Sequence, residues 1–531
     1  MGSRAAALVA VLALAAALCS GSASAAPPWA NDLALIRRGL DRAQAMGRLS
    51  AAEASTYRST VAQAAGDLPR LPGSRYRNLA AVVHEVAGLW KGYDEPRGRT
   101  LFAMLAFNVN WFSSHWDRKA GTDVVDYSDG IWYRAFPGLG FQFHPLENFG
   151  KLNSFVSQQN QSRASQLAQA LLARAVSRNG GLAWEYYFGF EGGRPPWISG
   201  MAQAVAAQAL ARAGTLVPDP TLVAASRRVY ATIPSLLRQS PTGPWIRLYA
   251  FNNETVLNAQ LQTIASLLDY AAASGDTAAA SLAAQLESAT DGLLPRFDTG
   301  YWSLYSLGGP EAPLDYHQFV VRLLANLAKR TQDQTLAAFA QRFGADLTEP
   351  PLLKAGTPPA PIYPWPADGY KDGARYPFWV SKRSTVRLVV ANAGGPLVVS
   401  RGWHAIFWSP GRIAPGSYTP KLDAVDLAGN AAETVLAPVE VRLDTEPPTL
   451  SAKLVGRRLY WRGADDASPW LSFRITLRRG GSVRRVFLAA EPFRGSARLR
   501  APRGAWAATL EASDSSGNAT RVVLGTLHAH G

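Results

Sequence analysis

Trp197-Ile198-Ser199-Gly200-Met201-Ala202-Gln203-Ala204 decides how the longer part of this chain folds. Pro195-Pro196 end an extended segment, Ser199 can cap a helix, and residues 201–213 continue with apolar side chains three and four apart. The same spacing recurs at 31–45, 76–90, 163–176, 256–273, 278–293 and 318–329. Gly/Pro/aromatic connections separate these segments at 135–145, 179–196, 239–251 and 297–314. The alternation predicts helix pairs closed into an (α/α) toroid, with aromatic loops at one end of the inner helices.

After Glu349 the pattern changes. Pro350-Pro351, Pro358-Pro359 and Pro364-Trp365-Pro366 mark a stiff entry, followed by short β-branched runs at 385–391, 396–400, 434–443, 459–462, 471–477 and 483–488. Two stretches echo one another: Asp423-Ala424-Val425-Asp426-Leu427-Ala428-Gly429-Asn430 and Glu511-Ala512-Ser513-Asp514-Ser515-Ser516-Gly517-Asn518. Each stands near the end of a module, and Asp444-Thr445-Glu446-Pro447-Pro448 is the hinge between them. The expected organisation is a signal peptide at 1–25, a helical toroid at 26–349, and Ig-like β-sandwiches at 350–447 and 448–531, the Asp and Asn residues serving as turn formers.

Residues 1–25 carry Arg4, an apolar run from Ala5 to Leu18, and Ala23-Ser24-Ala25. That is a secretory signal with cleavage expected after Ala25, since a membrane span needs about 20 apolar residues. The single cysteine of the 531 residues, Cys19, lies inside it, so no disulfide framework or multi-thiolate metal site is expected. Net charge is +15, and residues 451–531 hold 14 Lys or Arg against 5 Asp or Glu. An exported basic protein points to anionic polysaccharide rather than nucleic acid, with the last module contacting a cell-wall or surface glycan.

No His-Glu-x-x-His, P-loop or Gly-x-Ser-x-Gly pattern occurs, and the seven histidines show no ligand spacing, so no metal and no cofactor are expected. The chemistry is expected at helix starts embedded in aromatic stretches. Trp197 could stack on a sugar ring and Gln203 could bond its hydroxyls. Tyr249-Ala250-Phe251-Asn252-Asn253-Glu254 leads into Val256-Leu257-Asn258, and Tyr301-Trp302-Ser303-Leu304-Tyr305 precedes Asp315-Tyr316-His317. Helix N-termini there would receive a carboxylate.

Pro196 to Gln203, Val256-Leu257-Asn258-Ala259, Asp298-Thr299-Gly300 with Tyr305-Ser306-Leu307, and Leu314-Asp315-Tyr316-His317 together resemble the C-terminal catalytic domain of D-glucuronyl C5-epimerases, enzymes of heparan sulfate biosynthesis. A weaker echo is Phe143-His144-Pro145-Leu146-Glu147-Asn148-Phe149-Gly150, and the motifs keep family order over residues 135–345. The resemblance implies an isomerase of polysaccharides, without cofactor and dimeric, that inverts C5 of glucuronyl units. It carries the catalytic tyrosines onto Tyr249, Tyr305 and Tyr316; the substrate contacts expected with them are His144, Trp197, Gln203, Arg247, Asn258 and His317. The chain departs from the family at Leu248, where the family has Glu, at Gly308, where it has Arg, and at His144, where it has another aromatic residue; Arg247 or His317 could substitute for the lost groups. Inversion needs two acid/base groups flanking the ring, and a tyrosine held low by nearby cations would be the base. Three alternatives remain: a uronate lyase sharing the first proton abstraction, a glycoside hydrolase using two of Glu185, Glu191 and Glu254, or a non-catalytic glycan-binding protein.

Overall fold

Side-chain caps start most of the helices. Ser50, Asp94, Asn160, Ser199, Asp219 and Asp276 each accept a backbone N–H in the first turn, and Ser50 with Glu53 completes a capping box. The structure, a computed structural model, describes residues 29–529, so the expected signal at 1–25 lies outside the described residues. The chain divides between Asp346 and Leu347 into a helical unit and a β unit, slightly before the expected boundary after 349. No helix among the described residues is long and apolar enough to cross a membrane.

The helical unit holds α1 (Trp29–Ala45), α2 (Ala51–Asp67), α3 (Gly73–Gly88), α4 (Glu95–Ser114), α5 (Pro145–Ser157), α6 (Gln161–Leu172), α7 (Gly200–Leu216), α8 (Pro220–Tyr230), α9 (Leu257–Ser274), α10 (Thr277–Leu293), α11 (Leu314–Thr331) and α12 (Gln334–Asp346). Helices α5, α7, α9 and α11 pack side by side in that order, and each carries its successor, α6, α8, α10 or α12, against it. α7 is buried around nearly its whole circumference, whereas α12 buries only Leu336, Phe343 and Asp346. The inner row is therefore set by burial: an Ala-rich helix without a polar face has to be surrounded.

Several of the aromatic connections, expected as plain loops, contain short antiparallel strands. A sheet of β1 (Asp123–Val125), β2 (Trp132–Phe136) and β3 (Gly140–Phe143) precedes α5, a hairpin of β4 (Val176–Arg178) and β5 (Gly181–Ala183) precedes α7, and β6 (Leu237–Ser240) with β7 (Gly243–Ile246) precedes α9. Val176, read from the sequence as helix, opens β4 because α6 ends at Leu172. A buried ion network pins the first sheet to α5. Arg134 donates to Asp123 at 2.7 and 3.0 Å and to Glu147 at 2.7 Å, with Lys151 on Glu147 at 3.0 Å.

The β unit has two hydrophobic cores. The first lies among β8 (Leu353–Ala355), β9 (Ala374–Val380), β10 (Ser384–Val389), β11 (Leu397–Val399), β12 (Gly402–Trp408), β13 (Gly416–Tyr418), β14 (Lys421–Asp426), β15 (Ala431–Val435) and β16 (Val439–Val441), and centres on Phe378, Val386, Trp408 and Leu422. The run read as one strand at 434–443 is split in two, because Pro438 supplies no N–H to a ladder. The second core, with Trp461, Phe473, Ile475 and Leu510, lies among β17 (Thr449–Val455), β18 (Arg458–Ala464), β19 (Leu471–Arg479), β20 (Ser482–Glu491), β21 (Arg494–Arg498), β22 (Gly504–Ser513) and β23 (Ala519–Ala529). These last strands form a sheet ordered β17-β18-β21 and another ordered β20-β19-β22-β23.

The sequence echo has a structural job. Asp426 and Asp514 accept the N–H of Asn430 and Asn518, closing equivalent turns. The two asparagine amides then hold the chain entering each module, Asn430 at the Leu347 carbonyl (3.0 Å) and Asn518 at the Asp444 carbonyl (3.1 Å).

Glu85 of α3 gives a test of the helical core. One of its carboxylate oxygens accepts from Gln142 of β3 at 2.7 Å, the other has no partner, and burial pushes the carboxyl well above its ordinary value. A raised acid is favourable while protonated and costs stability as pH rises through its folded pKa. Wild type and Glu85→Gln should therefore melt together near pH 4. By pH 8 the variant should melt several degrees higher; thermal scans across that range check it.

Candidate active site

Backbone tethers bring three separate segments together at the starts of α7, α9 and α11. Gly200 N–H donates to the Arg247 carbonyl (3.0 Å) and Ala250 N–H to that of Ile198 (3.0 Å), which lays the Tyr249 segment along the entry to α7. A Cβ at position 200 would lie 2.6 Å from the Arg247 oxygen, so glycine is required by this approach. Leu257 N–H donates to Tyr305 and Leu307 N–H to Thr255, drawing the third segment onto the start of α9. Tyr316 stands in the first turn of α11, and α9 and α11 both begin without a side-chain cap.

The three tyrosines assigned from the resemblance consequently lie in one cluster. The Tyr249 and Tyr305 hydroxyls interact, and the Tyr305 and Tyr316 rings meet edge to face at 5.1 Å. Tyr249 and Tyr316 are buried, and Tyr305 is half-buried. Burial raises all three phenols well above their ordinary value. The expected tyrosine held low by cations does not occur: Arg134 acts on Tyr316 in that direction, but burial and the Tyr305 and Asp315 charges outweigh it. All three are proton donors at neutral pH.

Two carboxylates face the cluster. Glu191 raises all three phenols and Glu254 raises Tyr305, while Glu191 is itself lifted by burial and by Glu254. Glu191 occupies a demanding position. Phe190 and Gly193 exchange both backbone hydrogen bonds around a two-residue turn in which Glu191 has φ 44° and Gly192 φ 82°. Such turns favour Asn or Gly, and a left-handed glutamate costs about 1–2 kcal/mol. A carboxylate held there at a cost in stability is a functional candidate.

The remaining expected contacts divide. His144 caps α5 through Nδ1, which accepts from Glu147 N–H, so neutral His144 carries its proton on Nε2. That N–H is buried and has no partner, and burial beside Arg134 holds the imidazole well below its ordinary value. Asn258, in the first turn of α9 and fully buried, leaves both amide atoms without a partner. Arg247 is half-buried, donates to Asn253, and lies beside Arg238, whose charge it disfavours.

Three assignments are corrected. Trp197 is buried, lies flat on Tyr186 at 4.1 Å and bonds the Phe188 carbonyl, leaving no face for a sugar. Gln203 spends its amide on Trp184 N–H, the Leu182 carbonyl and the Thr232 hydroxyl. His317 is enclosed between Ser303 and the Phe343 carbonyl and stacked on Trp302 at 3.8 Å. Glu185 is likewise consumed, by Arg97 and Arg178. Sequence reasoning missed Arg134 and Arg238. A lone arginine inside the apolar strand Trp132-Tyr133-Arg134-Ala135-Phe136 was the available signal for the first; Arg238 has none.

Residues 178–345 match the family model of the D-glucuronyl C5-epimerase C-terminus. The match contains all three tyrosines and both carboxylates but leaves out His144 and Arg134, and it speaks for a carbohydrate-modifying, epimerase-type domain. No curated protein matches the chain. Among solved structures, the chain is similar to a GH8 endo-beta-1,4-glucanase from an Achatina fulica gut metagenomic library (18% identity, 43% of this chain and 76% of that one, TM-score 0.33). It is also similar to a cellobiose 2-epimerase from Bacillus thermoamylovorans B4167 (10%, 51% and 74%, TM-score 0.33) and to an endoglucanase from Komagataeibacter sucrofermentans (12%, 39% and 71%, TM-score 0.28). Those likenesses are distant.

Two substitutions separate scaffold from site. Gln203→Ala strands three buried groups and should cost about 3 kcal/mol in urea unfolding. Glu191→Asn relieves the turn and should gain about 1 kcal/mol.

Proposed function

We propose that the helical unit is a uronyl C5-epimerase acting on an anionic polysaccharide. The observation that carries this reading is the convergence of Tyr249, Tyr305 and Tyr316, from three separate segments, on one buried cluster beside the uncapped starts of α9 and α11. We read the paired helices as an (α/α) toroid and the β modules as Ig-like. The leader at 1–25 directs the protein outside the cell, where such glycans are met.

Inversion at C5 removes the proton alpha to the carboxylate on one face and returns a proton on the other, with no net bond broken. Tyr316, the phenol on which Arg134 acts, is the group assigned to abstraction, and it must lose its own proton first. Tyr305, in contact with Tyr249, returns a proton from the opposite side. The developing enolate needs donors at the substrate carboxylate, and the unpartnered Nε2–H of His144 and amide of Asn258 supply them. Glu191 is suited to take the phenolic proton as abstraction begins.

The effect of Glu254 on Glu191 favours a second reading, a hydrolase using those two carboxylates. Incubation with polyglucuronate in deuterated water tests both. The epimerase incorporates deuterium at C5 without chain shortening, and Tyr316→Phe lowers that incorporation at least about 100-fold. Exchange should rise with pH through the neutral and mildly alkaline range, because burial holds the phenols protonated and one has to ionise. Shortening without exchange, with a rate that falls above neutral pH, overturns the epimerase in favour of the hydrolase. Shortening with unsaturated ends indicates a lyase.

A further inference from the structure

One sheet of the last module presents a face that is cationic and carries no acid. On the β17-β18-β21 sheet, Leu450, Leu454, Leu459, Trp461 and Ala497 face or border the core, so the alternate residues point outward. The registers place Ser451, Arg462 and Arg494 in one row, Lys453, Tyr460 and Ser496 in the next, and Val455, Arg458 and Arg498 in the third. All nine are exposed, five are cationic and none is acidic. None of the five takes part in an ion pair among the described residues. The two outer rows, four residues apart along the strands, are separated by about 13 Å, with Tyr460 between them.

Two like-charged pairs, Arg458 with Arg498 and Arg462 with Arg494, stand directly opposite one another across β18 and β21. Opposed like charges destabilise a sheet, so this face is held at a cost to folding. The other sheet of the same module also carries exposed arginines, Arg478, Arg479, Arg484, Arg485 and Arg521, but there Arg474 is paired with Glu511, and Phe487 and Val523 are exposed beside it.

We propose that the β17-β18-β21 face binds an anionic polysaccharide chain. A flat cationic grid suits an extended polymer with a charge on successive sugars, and the half-exposed Tyr460 ring offers a surface for a sugar between the charges. The face is built of strands without a helix to enter a nucleic-acid groove, and Val455 and Tyr460 are the only large hydrophobic residues among the nine, too little to enter a lipid surface. The face belongs to the β unit and the tyrosine cluster to the helical unit, and the role assigned to the face is to hold the protein on a glycan.

The test uses the full chain carrying Tyr316→Phe, so that binding is read without turnover and stands or falls apart from the epimerase reading. Retention and affinity are measured on heparin, polyglucuronate, neutral dextran, duplex DNA and phosphatidylglycerol vesicles. Replacing Arg458, Arg462, Arg494 and Arg498 with Ser should weaken heparin and polyglucuronate binding at least about tenfold at low salt and flatten its salt dependence. The same change should leave the melting temperature unaltered or raised. A control replacing Arg474, Arg478 and Arg485 should bind nearly as wild type. If the four-residue variant fails to fold, Arg498→Glu, which pairs with Arg458, should show the same loss to a smaller degree. Equal loss in the control, no preference for the anionic glycans over dextran, or tighter binding to DNA or vesicles would overturn the proposal.

Discussion

The helical unit depends on the close enclosure of α7. Its residues are mostly alanine and glycine, and they are buried on almost every side, so α5, α8 and α9 approach it closely and leave no polar face. Small side chains permit that approach, and the loss of any solvent-facing stripe requires it. Gly200 at its start extends the constraint to the loops, because only a residue without Cβ fits beneath the Arg247 carbonyl. The Tyr249 segment is thereby laid against α7, and the Tyr305 segment is hydrogen-bonded to the start of α9. Enclosure of one helix thus determines where the tyrosines meet.

The site that results is apolar and tyrosine-rich, with its phenols under the influence of Glu191, Glu254 and Arg134. Burial keeps the phenols protonated, and the carboxylates reinforce that. A substrate carboxylate entering this environment would find its donors in His144 and Asn258, whose unpartnered polar atoms are otherwise an unexplained cost inside a packed protein. The left-handed turn at Glu191 is a second cost. Trp197, Gln203 and His317, by contrast, have their polar atoms satisfied inside the packed unit.

Much of the architecture was legible in the residues. The 3.6-residue spacing identified seven helical segments, and the change at Pro350-Pro351 placed the passage to strands within a few residues of the observed division after Asp346. The Asp426–Asn430 and Asp514–Asn518 echo marked two modules, each with its own core. The short strands inside the aromatic connections were not legible, since runs of three to five residues lack a period long enough to distinguish strand from loop. At the site, motif order located Tyr249, Tyr305 and Tyr316. It also selected Trp197, Gln203 and His317, because a motif records both packing and chemistry and does not separate them.

The sequence by itself determined the local and additive properties: helix periods, caps, the module echo, the segment charges and the identity of the three tyrosines. Tertiary structure alone decided the properties that depend on burial and juxtaposition. It raised the phenols rather than lowering them, set Glu191 and Arg134 near the cluster from distant parts of the chain, and left His144 and Asn258 with unpartnered polar atoms. It also gathered five of the basic residues of the last module on one face that carries no acid. The physical reason is the same in each case. Solvation, hydrogen-bond satisfaction and charge–charge distance are set by neighbours in space, and a linear pattern fixes only neighbours along the chain.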